Sequence, residues 1–511
     1  MNGPAARDFI DILVDKGSFA RWDREPLSAF GVHGDPSASY VKEITQARIR
    51  TGLDEAVITG EGRLAGRRIA ILACEFGFLG GSIGVSAAER LVGAIERATA
   101  QGLPVIAAPA SGGTRMQEGA VGFLQMVKIT SAVMAHKAAG LPYLVYLRHP
   151  CTGGVFASWG SLGHVTLCEP GALIGFLGPR VYRALHGADF PGGVQTGENL
   201  VAHGLIDGVV APVALRAVVR DLLAVMAGSE VSVPNVDEQW DVLAEPVPAW
   251  ESVARSRRED RPGVVGLLRS AANTVTVLNG GASVGGRTSV VLALARFGAS
   301  GCVVIGQDRQ CAARPIGPAA LREAQRGMRL AAETGLPLVS VIDTSGAALS
   351  AEAEEGGLAR EIARCIATLT MLPTPTLSLV LGQGSGGGAL AMLPADRVLC
   401  AQHGWIAPLS PEGAAAIRFR DPGRAAEMAE AQGVRSVDLL RHGIVDRVLS
   451  EHPDAAEEPG AFFARVLYAL EGELATLARE PVAELVRRRS ARYRHVGTTA
   501  RIGAVVDVGG S

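Results

Sequence analysis

Five glycine-bearing turns are the residues of this chain best placed to do chemistry. They are Gly80-Gly81 in FGFLGGSIG, Gly112-Gly113 in ASGGTRMQEG, Gly153-Gly154 in PCTGGVFAS, Gly346-Ala347 in DTSGAAL and Gly386-Gly387 in GQGSGGGAL. Each stands where a short apolar run gives way to a helical pattern. A turn of this kind presents bare backbone N–H groups beside the positive end of a helix dipole, which suits a developing negative charge. Two aligned donors in a dry cleft would hold an enolate or a ureido oxygen, and losing one such donor costs about 3–4 kcal/mol in known enzymes. Gly112-Gly113 and Gly346-Ala347 are the expected donor pairs. The alternative is that these glycines only permit the turn.

Ionisable side chains are few around these turns. Arg115, just past the first pair, is the one charged candidate for substrate binding. Glu118, Glu352, Glu354 and Glu355 read as complements to helix dipoles or as surface pairs. Gly80-Gly81-Ser82-Ile83-Gly84 fits G-x-S-x-G, but no His or Asp stands in a context that marks a triad partner. Gly382-x-Gly384-x-x-Gly387 fits a dinucleotide fingerprint, yet the strand near Val398–Gln402 lacks the acidic residue that would bind a ribose. No GxxxxGK[ST] is present.

The elements that must carry these turns are buried strands. Leu338–Ile342 and Thr376–Leu381 follow prolines and are short and β-branched, as parallel strands covered on both faces are. AVITGEGRL and RRIAILA, between Ala56 and Ala73, predict a hairpin. Leu91, Ile95 and Ala98 mark a helix that ends near Gly102. Residues 1–50 predict an amphipathic helical lead-in with a polar loop at Gly31–Ser39. Repeated strand–turn–helix units imply a layered α/β arrangement. The pattern also repeats as a whole: Gly102-Leu103-Pro104 returns as Gly335-Leu336-Pro337, an offset of 233 (335 − 102), and Gly153-Gly154 returns as Gly386-Gly387 at the same offset. This is an internal duplication. The expected organisation is a first domain over 1–230, a polar, proline-punctuated linker over 231–262, and a second domain over 263–511 with a helical tail. The basic run at Arg487–Arg489 and Arg492–Arg494 reads as a solvated face or a contact with a partner.

The chain has 511 residues, 48% of them hydrophobic, with a formal net charge of −2. That balance fits a soluble globular protein and speaks against a nucleic-acid binder. No leader pattern opens the chain and no apolar run reaches a membrane span. The seven cysteines include no CxxC pair, so buried thiols in a cytoplasmic protein are expected, with no metal.

On FLGGSIG (78–84), SGGTRMQEG (111–119), PCTGGVFAS (150–158), EPGALIGFLGPRV (169–181), DTSGA (343–347), EAEEGG (352–357), GQGSGGGAL (382–390) and SPEGAAAI (410–417), the chain resembles the carboxyltransferase of bacterial acetyl-CoA carboxylase. The beta-type half comes first and the alpha-type half second, fused in one polypeptide. The resemblance implies two tandem crotonase-like (ClpP/crotonase) domains of ββα units. It implies that Gly112 and Gly113 hold the acyl thioester oxygen, and that Gly346 and Ala347 hold the ureido oxygen of biotin, with Gly80, Gly81, Arg115, Gly153, Gly154, Gly386 and Gly387 binding substrate. The implied reaction moves CO₂ from carboxybiotin to C2 of acetyl- or propionyl-CoA, giving malonyl-CoA or a homologue for fatty acid biosynthesis. Biotin would arrive on a separate carrier protein, with a biotin carboxylase as a further partner, and the chain would form a homo-oligomer, a dimer or larger. The family's zinc ribbon is absent, and the usual DTPGAYPG reads DTSGAALS here.

Other readings predict other behaviour. A biotin-independent decarboxylase of malonyl-CoA or a malonyl-carrier protein would use the same oxyanion hole. A serine hydrolase would act through Ser82. A non-catalytic subunit would co-purify with a biotinylated protein and turn nothing over.

Overall fold

Runs of Val, Ile, Leu and Tyr bounded by glycine and proline become strands buried on both faces. In YLVYL, for example, all five residues are buried, so the run needs no alternation of polar and apolar positions. The computed structural model describes residues 5–23, 38–177, 182–183, 186–227, 247–278, 289–309 and 315–494. Leu278 apart, they fall into two compact units, the first running to Ala224 and the second beginning at Val225.

In unit 1, β1 (Val57–Leu64), β2 (Arg67–Cys74), β3 (Val105–Ala108), β4 (Tyr143–Leu147), β5 (Val165–Cys168) and β6 (Gly208–Val209) lie side by side in chain order. β1 and β2 form the expected hairpin, closed by Ala65 and Gly66, both at positive φ (49° and 81°) as a two-residue turn between twisted strands requires. From β2 onward neighbours run parallel. Helices α1 (Val85–Ala100), α2 (Gly119–Ala138) and the single turn α3 (Gly153–Phe156) connect them. Leu91, Ile95 and Ala98 are fully buried on α1, and Gly102 stands just past its end at φ 63°. The lead-in holds helices Ala6–Leu13 and Ala38–Thr51; the predicted loop lies, up to residue 37, outside the described residues.

Unit 2 opens with α4 (Ala249–Ser256). Its sheet runs β7 (Val290–Phe297), β8 (Ser300–Gln307), β9 (Leu338–Thr344), β10 (Thr376–Ser385), β11 (Arg397–Ala401) and β12 (Arg447–Leu449), again in chain order, a hairpin followed by parallel strands. Its helices include α5 (Pro318–Thr334), α6 (Leu358–Met371), α7 (Gly386–Leu390), α8 (Pro459–Leu477) and α9 (Val482–Arg494). The duplication extends to backbone angles. Gly84 before α1 has φ −104°, ψ −170°, and Gly317 before α5 has φ −106°, ψ −180°.

Two stretches differ from expectation. The segment expected to be a linker is described from residue 247 on, and there it is part of unit 2. Trp405 Nε1 donates to Ser256 Oγ at 2.9 Å, and Arg261 pairs with Glu451 at 2.7 Å in a fully buried contact. The buried face of α4 is Ala249, Ser252, Val253 and Ser256, too small and polar to show as an apolar stripe. In α9, Arg489 is not on a solvated face: it is buried, forks onto Asp396, and donates to the carbonyls of Leu369, Leu372 and Thr374. Arg487 and Arg488 do sit at the surface, paired with Glu484 and Glu480.

Candidate active site

β3 ends in the turn Ser111-Gly112-Gly113, and β4 leads to the turn that opens α3. The structure brings these two turns into backbone contact. A Cβ on Gly113 (φ 112°) would stand 3.3 Å from Gly154 N, and one on Gly153 (φ 62°) would stand 3.2 Å from Gly112 O. A third turn closes in from the other side: a Cβ on Gly81 would overlap the Ala110 carbonyl, and Gly112 N donates to Gly80 O at 2.8 Å. All six glycines expected in the first half thus meet at one crossing. Only glycine lets three chain segments approach so closely.

The donors at this crossing are distributed differently from expectation. Gly112 N–H is taken by Gly80 O, and Gly113 N–H by Ser111 Oγ at 3.0 Å. Gly153 N–H goes to Phe176 O at 3.0 Å. Gly154, second in α3, has no hydrogen-bond acceptor for its N–H among the described residues, as the first turn of a helix leaves it. Gly112 and Gly113 therefore shape the crossing, and Gly154 holds an open donor.

Arg115, expected at the substrate, is 1% exposed. Its guanidinium forks onto Glu55, with Nη1 to Oε2 at 3.0 Å, and donates to Ser82 O at 2.8 Å. Burial alone would lower its pKa; the Glu55 carboxylate overrides this and holds the guanidinium firmly charged. Its donors are used inside the fold, so Arg115 braces the turn from behind. Glu118 does similar work, accepting Val85 N–H at the start of α1 and the Tyr40 hydroxyl.

Unit 2 repeats the crossing. Gly346 (φ 135°) donates its N–H to Thr344 Oγ1 at 3.1 Å. Gly386 has φ 60°, against 62° for Gly153. A Cβ on Gly388 would lie 3.4 Å from Ala347 N, and one on Gly387 would press on Ile362 of α6. The N–H groups of Ala347 and of Gly387, in the first turn of α7, have no hydrogen-bond acceptor among the described residues. Behind the turn, the buried Asp343 carboxylate accepts Gln383 N–H at 3.0 Å and faces Arg309 at 3.0 Å. Burial raises its pKa while Arg309 opposes the rise.

The other motifs are structural. Ser82 Oγ donates to Leu79 O at 2.8 Å and takes a long contact from Arg115, with no histidine in the set. Gly382 and Gly384 lie inside β10, not in a phosphate-cradling turn. Ser350 caps the short helix Ala351–Glu355, with Glu352 and Glu354 in its first turn. Burial raises the pKa of the Cys74 thiol to about 11 and lifts Cys151 as well, so neither is a ready nucleophile. Among the described residues no three His, Cys, Asp or Glu gather to hold a metal, and no helix is long and apolar enough to cross a membrane. Ser111, Thr344 and Glu55 escaped the sequence reading. The first two were legible, since a hydroxyl stands two residues before the glycine in both halves.

Both units therefore offer backbone donors at a crossing of glycine turns, with the nearby charges turned inward. The carboxyl transferase domain pattern matches residues 4–484. The chain belongs to the carboxyl transferase family. This carboxyltransferase is 58% identical over 488 residues to a probable biotin-dependent acyl-coenzyme A carboxylase beta3 subunit of Mycobacterium tuberculosis, covering 95% of this chain and 97% of that one. It is 40% identical to the acetyl-coenzyme A carboxylase carboxyl transferase subunits beta/alpha of Salinispora tropica, over 96% and 91% of the two chains. Among solved structures, transcarboxylase 12S with hydrolysed methylmalonyl-coenzyme A superposes with a TM-score of 0.74 at 21% identity, over 94% of this chain and 90% of that one. The carboxyltransferase thus has the crotonase-like fold twice over, beta-type half first.

Proposed function

We propose that the chain is the carboxyltransferase of a biotin-dependent acyl-CoA carboxylase, moving CO₂ from carboxybiotin on a separate carrier protein to C2 of acetyl- or propionyl-CoA. The observation that carries this is the recurrence of one crossing in both units, each with an open N–H: Gly154 in unit 1, Ala347 and Gly387 in unit 2. Unit 1 is the acyl-CoA half. Its Gly154 donor holds the thioester oxygen as that oxygen gains enolate character, with Gly112, Gly113 and Ser111 fixing the donor's direction. Unit 2 is the biotin half, where Ala347 and Gly387 hold the ureido oxygen. The C2 proton passes to the biotin nitrogen as CO₂ is released and captured by C2, so the protein supplies no side-chain base. That agrees with the inward pairing of Arg115 and Asp343.

Self-association is part of the proposal. On α2 the side chains of Phe123, Leu124, Val127 and Met134 are exposed together, with Met116 beside them. A contiguous apolar face of this kind marks a protein contact, and light scattering on the purified chain would reveal a dimer or a larger assembly.

The deciding experiment is the reverse reaction. Purified protein is given malonyl-CoA with and without biocytin, and acetyl-CoA is followed. Turnover that requires biocytin supports the carboxyltransferase; turnover that ignores it and resists avidin makes the protein a decarboxylase. The altered loop 345–350, with Leu349 96% exposed, is the feature that favours the decarboxylase.

A further inference from the structure

We propose that Gln307, at the end of β8, is the positioning residue of the unit 2 crossing. The Gln307 side chain is buried and spans two elements. Its Oε1 accepts Asp343 N–H at 3.1 Å, where β9 runs into the turn, and its Nε2 donates to Gly388 O at 2.8 Å, in the first turn of α7. One amide thus ties the strand that carries Gly346-Ala347 to the helix that carries Gly387. These are the segments that carry the open N–H groups of the crossing. The amide has no freedom to do otherwise, because reversing it would set donor against donor at Asp343 and acceptor against acceptor at Gly388.

Unit 1 lacks this tie. The residue 233 positions earlier is Cys74 (307 − 233), and the counterpart of Asp343 is Ala110. A thiol there cannot reach the helix. In unit 1 the end of the strand and the turn before α3 are joined by backbone bonds, Ser111 N–H to Pro150 O at 2.7 Å and Thr152 N–H to Ser111 O at 2.8 Å, without a side-chain clamp. Two donors held at a fixed separation suit a ligand of one invariant shape. The assignment of ligands to units rests on the carboxyltransferase reading; the clamp itself does not.

The test uses Gln307→Met, which keeps length and bulk and loses both hydrogen bonds. In the biocytin-dependent reverse reaction, kcat/KM for biocytin should fall about 10- to 100-fold, the scale of a small misplacement of a site. KM for malonyl-CoA should stay within about 2-fold of wild type, because unit 1 has its own donors. Leu294→Ala, buried in β7, serves as the comparison: it lowers stability and should leave both constants unchanged. Gln307→Glu regains a donor only when its carboxyl is protonated, beside the buried Asp343 and Arg309, so its biocytin activity should recover as the pH is lowered. Amide exchange over 386–390 supplies a readout independent of activity and should quicken in Gln307→Met. Equal exchange together with an unchanged biocytin constant overturns the proposal. If wild type shows no biocytin dependence, the functional reading fails and exchange alone decides the clamp.

Discussion

Ser111 and Thr344 stand at the same place in the two units and do the same work. Ser111 Oγ accepts Gly113 N–H at 3.0 Å and passes its own proton to Gly81 O at 2.6 Å. Thr344 Oγ1 accepts Gly346 N–H at 3.1 Å and donates to Gly346 O at 3.1 Å. Each hydroxyl holds its glycine in a conformation that most residues avoid. Ser111→Ala strands the Gly113 N–H in a buried place and should cost about 1–3 kcal/mol of stability. Thr344→Val should cost less, since Thr344 is nearer the surface. Steady-state kinetics should show Ser111→Ala acting on the acyl-CoA constants and Thr344→Val on the biocytin constants.

Adding one methyl group should separate strain from crowding. Gly113→Ala meets both, with φ 112° and the backbone of 153–154 at 3.3–3.4 Å. Gly346→Ala meets strain alone, since the nearest atom is Ser385 Oγ at 3.7 Å. A strained backbone costs about 1–3 kcal/mol. Gly346→Ala should fold with reduced turnover, while Gly113→Ala should lose more stability and fall at least about 100-fold in turnover, as measured by urea melts and the malonyl-CoA assay.

Arg115 and Glu55 should behave as one unit. Removing Arg115 leaves the Glu55 charge buried without its partner, and removing Glu55 leaves Arg115 only the longer contact to Glu118 at 3.6 Å, at about 3–5 kcal/mol. Glu55→Ala and Arg115→Ala should each approach that loss, and the double variant should lose far less than their sum. A double-mutant cycle by denaturant unfolding reads the coupling directly. Additive losses would show that the brace described above is not there.

His164 gives the fold a dependence on acid. Its Nδ1 accepts Tyr143 N–H at 3.0 Å. Burial first, then the positive charge of Lys137, lower its pKa to about 3. The folded state keeps His164 neutral where the unfolded chain binds a proton, so this contribution is whole above about pH 6.5 and drains away as pH falls towards 3, by roughly 1.4 kcal/mol per unit. His164→Asn, which keeps an acceptor without the titration, should flatten the fall of Tm below pH 6.5.

The layers of the fold were open to sequence reading because short buried strands and their glycine turns leave marks that survive duplication. Gly102 and Gly335, or Gly153 and Gly386, can be aligned by eye. The inward pairing was hidden, for each partner lies far along the chain. Nothing near Arg115 points to Glu55, 60 residues away. Arg489 looked like any member of a basic run, and what distinguishes it, Asp396 with three carbonyls, comes from 93 to 120 residues upstream. The helix over Ala249–Ser256 hid for another reason: a face of alanine, serine and one valine carries too little hydrophobic contrast to register as periodic. The identity of the open donors, Gly154 in place of Gly112 and Gly113, depended on which carbonyl each turn happens to meet.

The inward turn of the reactive groups described at the two crossings bears on how such a protein could be blocked. Ser82 is bonded back to its own turn, and burial holds the nearby thiols protonated. Among the described residues an electrophilic warhead would find nothing there to react with. A useful antagonist would have to be a flat, charge-delocalised oxygen acid competing for peptide N–H groups, and resistance could not come from swapping a nucleophile. It would have to come from the path of the main chain, which single-codon changes alter only by adding bulk to a glycine or by loosening the hydroxyls that hold it.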